Sequence, residues 1–375
     1  MFVNHPGEGA DMFGERLRLA RKRAGLSLRE LADRLGGEVS AQAISKYENG
    51  MMFPSSSVLV ALGNALDVSL DFLMSHEVVE LSGVEFRQHS GATAGERARA
   101  ESAVIDEVER HLALDEILEL PPEQSALPSA RTVVRSMDEV EDLARQLRKD
   151  WCLGNDPIPS MTGLLEDKGV RVISVDIPKK LSGFTGTIRR PKGKDDLPVI
   201  VVSTQFTIER RRFTLAHELA HRLIGEVEGG LKPEKAMDRF AAAFLIPADH
   251  LRAEVRGARD ALPPYSEIVR LKHLYGVAAA AILMRLKDIG ILSDATVTYA
   301  FQSYARAWRT AEPMPLDANG PFGHLEKPTR FERSVYWALA DRLISLPRAA
   351  DLLRRPVSQV ELAMRGPALG DSSYC

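Results

Sequence analysis

The hydrophobic periodicity of this chain changes near Gly169, from helical spacing to strand-like alternation. Before that point, apolar side chains in residues 11–74 recur three or four positions apart between glycine and proline breaks, which predicts five short helices around one small core. After it, the segments 170–175 and 182–189 alternate, and residues 198–203 form a β-branched run bounded by turns. Helical spacing returns at residues 207–224 and 233–245 and persists through most of the remaining chain. These patterns predict an all-α domain, then an α+β domain and a helical extension.

The charge and cysteine content exclude several classes of protein. With 49 Lys and Arg against 52 Asp and Glu, the 375 residues carry a net charge of -3, so any nucleic acid must be bound by a local basic surface. Two cysteines, Cys152 and Cys375, exclude a disulfide framework and a cysteine-based zinc site. No apolar run approaches the roughly 20 residues of a membrane span, and the start of the chain does not have the pattern of a signal peptide. We therefore expect a cytoplasmic protein of two or three domains without a membrane partner.

Two short helical patterns joined by a glycine turn lie at residues 26–50, with the sequences LSLRELADRLG and VSAQAISKYENG. Ser27 followed by Glu30 is a capping-box pattern, and Ser40 can cap the second of the two helices. Together with the later segment LDVSLDFL, these motifs resemble the lambda-repressor-like (XRE-type) helix–turn–helix family over about residues 12–74. The resemblance implies a domain that inserts the second helix of the pair into the major groove of double-stranded DNA.

The resemblance also implies which side chains contact the operator. Four positions would face base edges: Ala41, Gln42, Ser45 and Lys46. Arg29 and Asn49 would lie near phosphates. Glutamine can pair with adenine and lysine can reach guanine or phosphate, and a basic cluster in the first helix would add electrostatic attraction: Arg16, Arg18, Arg21, Lys22 and Arg23. Since such repressors usually bind two half-sites, we expect a homodimer; a protein-interaction domain that kept the fold is the alternative.

An acidic segment follows the predicted helix–turn–helix domain. Residues 101–123 contain eight acidic side chains and one strong base, Arg110, and prolines interrupt the pattern soon afterwards. This composition predicts an acidic helix with a solvated face and then a linker, rather than a mimic of DNA.

The sequence His217-Glu-Leu-Ala-His221 lies within the helix predicted at residues 207–224. Residues four apart share one face of a helix, so both imidazoles can bind one zinc ion, which lowers the pKa of bound water to about 7. Glu218 lies beside them and is positioned to take a proton from that water. In the next predicted helix, Glu234 would be the third ligand, and Asp238 could accept the free ring N–H of a ligand histidine. The motif has two alternative interpretations: the histidines are ordinary core residues, or they form a metal site without peptidase activity. The presence of Glu218 favours an enzyme over both.

The segments RFTLAHELAH and FAAAFLIP, at residues 212–221 and 240–247, resemble the ImmA/IrrE-type metallopeptidases over about residues 161–251. The resemblance implies a thermolysin-like site that holds one Zn²⁺ and belongs to a gluzincin-like endopeptidase. We expect an extended protein substrate to pair with residues 199–203 as an edge strand. The residue that stabilises the oxyanion stays open among three candidates: Tyr265, His250 and Arg222.

The predicted fold class is multidomain: an all-α lambda-repressor-like helix–turn–helix unit plus an α+β thermolysin-like zinc peptidase domain with a helical C-terminal extension. The predicted domains are residues 11–76 for DNA binding, 77–135 as an acidic helical linker, 136–255 for the peptidase and 256–375 for the mainly helical C-terminal region. The predicted function is a transcriptional regulator whose peptidase domain cleaves a regulator, typically a repressor, in a stress or mobile-element response. The rival is a transcription factor or antitoxin-like binder whose metal domain receives a signal or partner without proteolysis.

Overall fold

The computed structural model describes residues 8–66, 68, 70–74, 78, 80–84, 93–121, 125–190, 194–255 and 261–365. Predictions that concern Cys375 and the first seven residues lie outside the described residues. Within the described part of the chain, no helix is both long enough and apolar enough to cross a membrane.

The five helices predicted near the N-terminus are confirmed: α1 (Glu8–Arg23), α2 (Leu28–Arg34), α3 (Ala41–Glu48), α4 (Ser56–Leu66) and α5 (Leu70–Met74). The Ser27 hydroxyl accepts a bond from the Glu30 backbone N–H, and the Glu30 carboxylate accepts one from the Ser27 N–H. The Ser40 hydroxyl accepts the Ala43 N–H at 3.1 Å. These bonds satisfy first-turn N–H groups of α2 and α3, so both short helices begin at defined residues. Their apolar faces meet in a core that includes Leu17, Leu31, Ile44 and Leu62.

The larger sheet of the described chain has four strands: β1 (Glu80–Ser82), β3 (Arg171–Val175), β4 (Gly183–Arg189) and β5 (Leu197–Ser203). Their order is β1-β4-β5-β3, with β3 parallel to β5 and the other neighbours antiparallel. β2 (Thr132–Val134) and β6 (Ile224–Val227) form a separate parallel pair. The three strands predicted after Gly169 are confirmed, but the expectation that residues 199–203 form an edge strand is wrong, because β5 pairs on both sides. Its unbroken run of branched residues is typical of a strand buried on both faces.

The two faces of the sheet belong to different cores. Val172 and Ile200 pack with the helices that follow the sheet, whereas Ile173 and Val201 pack into the core that contains the N-terminal helices. Successive side chains of a strand point to opposite faces, so the same strands contribute to both cores. The helix–turn–helix unit therefore shares a continuous apolar core with the sheet.

The acidic segment forms α6 (Ala94–Ile117), which packs against α1 and the sheet. Its interpretation as a solvated face is wrong, because Asp106 and Glu109 are only 6% and 7% exposed. Both carboxylates lie opposite arginines from distant parts of the chain: Glu109 pairs with Arg16, and Asp106 with Arg354. Buried carboxylates require such partners. The helix is thus a packed structural element, and the linker boundaries at 77–135 stay a prediction.

Most of the remaining described chain is helical, as predicted. The helices are α7 (Met137–Asp150), α8 (Met161–Asp167), α9 (Ile208–Leu223), α10 (Pro233–Leu245), α11 (Ala248–Glu254), α12 (Tyr265–Tyr275), α13 (Ala279–Asp288), α14 (Asp294–Gln302), a 3₁₀ turn (Arg306–Arg309), α15 (Pro321–Leu325), α16 (Thr329–Ala340), α17 (Leu346–Leu353) and α18 (Val357–Arg365). Helix α10 has the predicted bounds, with proline at its first position and Pro247 just beyond its end. The last three helices enclose a third core, to which α6 contributes Leu114.

Candidate metal centre and nucleic-acid interface

The helix with the histidine motif, α9, is held at its first turns by buried charge pairs. Arg212 is fully buried and pairs with Glu326, whose carboxylate also accepts the backbone N–H groups of Met161 and Thr162 at 2.6 and 3.1 Å. A buried charge is stable only with such partners. The C-terminal region, which supplies Glu326, therefore sets the position of α9.

The importance of Arg212 was not apparent from the sequence, where it is the last of three consecutive arginines, residues 210–212. A signal was nevertheless present. Arg212 lies three residues before Leu215 and seven before Leu219, which places it on the buried stripe of the helix. The run is therefore structural at Arg212, and Arg210 is exposed at the same end of the helix.

The structure brings three of the predicted metal-binding side chains together. His217, His221 and Glu234 offer ligand atoms that all lie within 4.8 Å of one another. The two Nε2 atoms of the histidines are 3.3 Å apart, and Glu234 oxygens lie 3.5 Å from His217 Nε2 and 3.8 Å from His221 Nε2. The histidines come from one face of α9 and Glu234 comes from the first turn of α10. This set can hold a metal ion.

The predicted supporting residues also lie in this region. Asp238 Oδ1 lies 3.0 Å from Nδ1 of His217, one turn beyond Glu234 on α10. With its Nε2 facing the other two ligands, His217 carries its proton on Nδ1 and donates it to Asp238, which orients the ring. Glu218 is buried next to His217 on α9. His217 is 1% exposed and Glu234 is 45% exposed, so the centre is closed on the α9 side and open on the α10 side.

The three oxyanion candidates have described partners of their own. Arg222 donates to Gly186 O and Thr187 Oγ1 of β4, at 3.2 and 3.0 Å, and burial lowers the pKa of its guanidinium, with a further contribution from the charge of Arg131. His250 Nδ1 lies 2.7 Å from the Tyr275 hydroxyl. Tyr265 packs near Trp308 with its ring half exposed. The prediction of an oxyanion residue stays open among the three.

The predicted DNA-contact residues lie on and beside α3. Gln42, Lys46, Asn49 and Arg29 are exposed, and Ala41 and Ser45 are half-buried. Asn49 accepts a bond from Arg18 at 2.7 Å through its side-chain oxygen and donates to Ser45 Oγ at 3.5 Å. Gln42 and Lys46 are thus the long polar side chains that α3 presents to solvent.

Part of the basic cluster predicted to attract DNA is used inside the protein. Arg16 is 4% exposed and donates to Val78 O and to Glu109 on α6. Arg21 makes a bidentate pair with Glu48 at 2.6 and 2.9 Å. Lys22 is exposed, and the Arg23 side chain lies outside the described residues. The expectation that all five side chains attract DNA is therefore wrong for Arg16 and Arg21, because buried acids of the same fold bind them.

Two known relatives align with the N-terminal part of the chain. An uncharacterized HTH-type transcriptional regulator of Bacillus subtilis (strain 168), YqaE, is 39% identical over 66 residues, which are 18% of this chain and 55% of that protein. The SPbeta prophage-derived uncharacterized HTH-type transcriptional regulator YonR of the same organism is 44% identical over 63 residues, 17% of this chain and 56% of that protein. The chain thus spans about half the length of the curated relatives it matches.

A crystal structure of ComR from Streptococcus suis aligns over 98% of this chain and 97% of its own, with 10% identity and a TM-score of 0.17, which is too low to bear on the fold. The family models are more informative. Residues 17–73 match the helix-turn-helix model, and residues 165–287 match the model of the IrrE N-terminal-like domain of the M78 peptidases. Both resemblances inferred from the motifs are confirmed: the chain combines an XRE-type helix–turn–helix domain with an IrrE N-terminal-like domain of the M78 peptidase family.

Proposed function

We propose that the chain is a DNA-binding transcriptional regulator whose IrrE-like domain is a zinc-dependent endopeptidase that cleaves a regulatory protein. The observation that carries this proposal is the convergence of His217, His221 and Glu234 with Asp238 behind one histidine. A buried Glu218 beside the set supplies the carboxylate that hydrolysis requires.

The spacing of the donor atoms suits zinc. Ligands bound at 2.0–2.1 Å around a tetrahedral ion lie about 3.3–3.4 Å from one another. The donor separations of 3.3, 3.5 and 3.8 Å in this site are close to that value. Two imidazole nitrogens and one carboxylate oxygen are borderline and hard donors that zinc accepts, and three protein ligands keep a fourth position for water or substrate. We infer one Zn²⁺ per chain.

The side chains around the metal have distinct proposed roles. A zinc ion bound by these residues would supply a Lewis acid for a peptide carbonyl and would lower the pKa of water to about 7. Glu218 takes the proton from the attacking water on its carboxylate and delivers it to the nitrogen of the departing amine. Asp238 holds the His217 ring in the tautomer whose Nε2 lone pair faces the metal.

The N-terminal domain is proposed to bind a double-stranded operator as a homodimer. Gln42 and Lys46 would read base edges from the exposed face of α3, together with Ala41 and Ser45. Arg29 and Asn49 would contact phosphates. The cleaved partner is proposed to be a repressor, and the prophage origin stated in the name of one relative supports a mobile-element setting.

One observation favours the second candidate function, a transcription factor whose metal domain receives a signal without proteolysis. The helix–turn–helix core continues into one face of the sheet, so a change at the metal domain has a packed route to the DNA-binding unit. A receiver needs such a route in order to alter DNA binding, whereas cleavage of a separate protein does not depend on it.

The substitution Glu218→Gln separates the two functions, because Glu218 is proposed as a base and not as a ligand. The variant should keep the fold, the zinc and the affinity for the protein's own promoter, and it should lose cleavage by at least about 10²-fold. Zinc content, promoter binding and the half-lives of candidate repressors are measured on the same variant. Glu226→Gln, on the exposed side of β6, is the matched control. If the candidate repressors have equal half-lives with wild type and with Glu218→Gln, and if promoter activity is also equal, only the receiver function remains.

A further inference from the structure

The outer edge of β4 carries a strand that belongs to the segment after the helix–turn–helix domain. In β1, Glu80, Leu81 and Ser82 lie opposite Arg189, Ile188 and Thr187 of β4. The Ser82 hydroxyl donates to Thr187 O at 3.2 Å and accepts from Arg189 Nε at 3.1 Å.

The contact between the two strands is close. A Cβ atom on Gly186 would lie 2.9 Å from Leu81 Cδ1 and 3.3 Å from Ser82 O, so β4 has glycine at the point where β1 approaches. The three-residue strand is thus closely fitted to this edge although it is short.

The same strand β4 runs along the metal-binding helix. A Cβ atom on Gly183 would lie 2.6 Å from the Thr214 side chain, and Arg222 donates to Gly186 O at the other end of the contact. His217 and His221 lie between Thr214 and Arg222 on α9. The outer edge of β4 is therefore the sheet edge that accompanies the candidate metal centre, a position that the sequence analysis had assigned to β5.

An exposed strand edge binds extended peptides through its backbone N–H and C=O groups. Along β4, residues 187–189 already use this edge for β1. An extended protein segment that pairs along the whole of β4 has to displace β1 first. A strand of three residues makes few backbone bonds, so displacement does not require unfolding of the sheet.

The helix–turn–helix domain holds the segment that enters β1. Arg16 of α1 donates to Val78 O, two residues before β1, and forms a buried pair with Glu109 of α6. Beside this junction, α1, α6 and β1 line a pocket of about 350 Å³ that is open to solvent, with residues that include Val78, Leu81 and Ile105. The strand is therefore fastened to the DNA-binding unit at its entry, and it borders a solvent-open pocket on the side of α1 and α6.

We propose that β1 is a blocking strand: the helix–turn–helix domain retains it on the outer edge of β4, and an extended segment of a protein substrate must displace it in order to pair beside the metal centre. The proposal rests on the proposed peptidase function, since it concerns the substrate of that site. It makes the state of the DNA-binding domain a control on access to the peptidase.

A reversible cross-link tests the blocking step. Glu80 and Arg189 are exposed and directly opposed, so the double variant Glu80→Cys, Arg189→Cys can lock β1 by oxidation in a background in which Cys152→Ser and Cys375→Ser remove the native thiols. The probe is fluorescein-labelled casein, a largely unfolded protein, mixed with the zinc-loaded chain of 375 residues. We expect oxidation to lower cleavage by about tenfold or more, and reduction to restore it. The two single cysteine variants are the controls. Equal rates in oxidised and reduced protein would overturn the proposal.

Binding of the same probe separates this proposal from the proposed enzyme function. In a Glu218→Gln background, casein affinity measured by fluorescence anisotropy should fall by about tenfold or more when β1 is locked. Weaker casein binding by the locked form, together with equal repressor half-lives for wild type and Glu218→Gln, would overturn the endopeptidase function and keep the blocking strand. Cleavage by wild type, with equal casein affinity in the locked and open forms, would keep the endopeptidase function and overturn the blocking strand.

Release of β1 should have the opposite effect on casein binding from locking it. Arg16→Met retains the aliphatic stem but removes the bonds to Val78 O and Glu109, so casein binding should strengthen about threefold or more. Arg34→Ala, exposed on α2 of the same domain, is the matched control and should leave casein binding unchanged. If the locked chain of the first experiment behaves as expected but Arg16→Met binds casein no better than Arg34→Ala, the anchoring by the helix–turn–helix domain is wrong.

Discussion

Helices α3 and α9 carry the two sets of side chains on which the proposed functions depend, and they present them in opposite ways. On α3, Gln42 and Lys46 project into solvent from a short, capped helix. On α9, His217 and Glu218 are buried, and the first turns of the helix are held by the pair of Arg212 with Glu326. An external partner as large as DNA requires exposed side chains, whereas a metal that activates water is best served by a site whose walls are set beforehand.

This difference has consequences for mutation. Changes on the exposed face of α3 should alter binding without altering the fold, since surface substitutions usually change stability by little. Changes at the buried positions of α9 should alter the metal site, its chemistry or the fold, because those side chains are enclosed by others. The four predictions below test this contrast.

The largest effect is expected from removal of both histidines. The double variant His217→Ala, His221→Ala leaves Glu234 as a single weak ligand, so zinc binding should fall below detection. Metal analysis of the purified protein at equal concentration measures this directly. Promoter affinity should be unchanged in the same sample, because α3 lies far from the site in the chain and uses exposed residues. Stoichiometric zinc in the double variant would refute the assignment of the site.

The next effect is on stability. Arg212→Met leaves Glu326 buried without its partner, which should lower the free energy of unfolding by about 3–5 kcal/mol. Arg210→Met is the matched control on the same helix: Arg210 is exposed and lies over the Phe206 ring, so its loss should cost less than about 1 kcal/mol. Denaturant unfolding of both variants measures the difference. Similar losses of unfolding free energy for the two arginines would contradict a stabilising role for the buried pair of Arg212 with Glu326.

Removal of the residue behind the metal ligand should have an intermediate effect. Asp238→Ala deprives His217 of the acceptor that orients its ring, so zinc affinity should fall by about 10–100-fold while the fold is retained. Competition with a chelator of known affinity gives the dissociation constant. Asp249→Ala, an exposed carboxylate on α11, should leave it unchanged. An unchanged zinc affinity in Asp238→Ala would show that His217 is oriented by other contacts.

The smallest effect on the protein itself is expected on α3. Lys46→Ala and Gln42→Ala should each weaken binding to the protein's own promoter by about 1–3 kcal/mol, and Lys46→Ala should also reduce the salt dependence. The free energy of unfolding, measured by thermal denaturation, should remain within about 0.5 kcal/mol of wild type, since both side chains are exposed. Arg34→Ala controls for the loss of a positive charge elsewhere in the domain. Promoter binding that is insensitive to all three changes would favour a protein-interaction domain.

Local signals in the sequence predicted local structure well. Helix α10 was predicted at its observed bounds because proline marks both its first turn and the chain beyond its end. The grouping of His217, His221 and Glu234 was predicted because two helices with the expected periodicity carry them. Their roles as metal ligands, and the DNA contacts of α3, remain predictions.

Features that depend on distant pairing were not accessible from the sequence. The placement of β1 on β4 joins strands more than 100 residues apart. The central position of β5 depends on which strands pair with it, and strand order leaves no trace in alternation alone. The burial of Asp106 and Glu109 had the same cause. A carboxylate is expected at the surface unless an arginine that pairs with it is known. Arg354 and Arg16 lie far from α6 in sequence, so neither pair could be predicted.

The pair of Arg212 with Glu326 also has a consequence for the order of events during synthesis. The two residues are 114 positions apart, so the helix with the histidine motif leaves the ribosome well before its counterion exists. At about 5–20 residues per second, the interval is roughly 6–23 s. Throughout this time the guanidinium lacks the carboxylate that permits its burial. We therefore expect a nascent chain that ends before Glu326 to hold a complete histidine motif without a seated α9, so that any hydrolytic centre becomes competent only once the C-terminal region has been made.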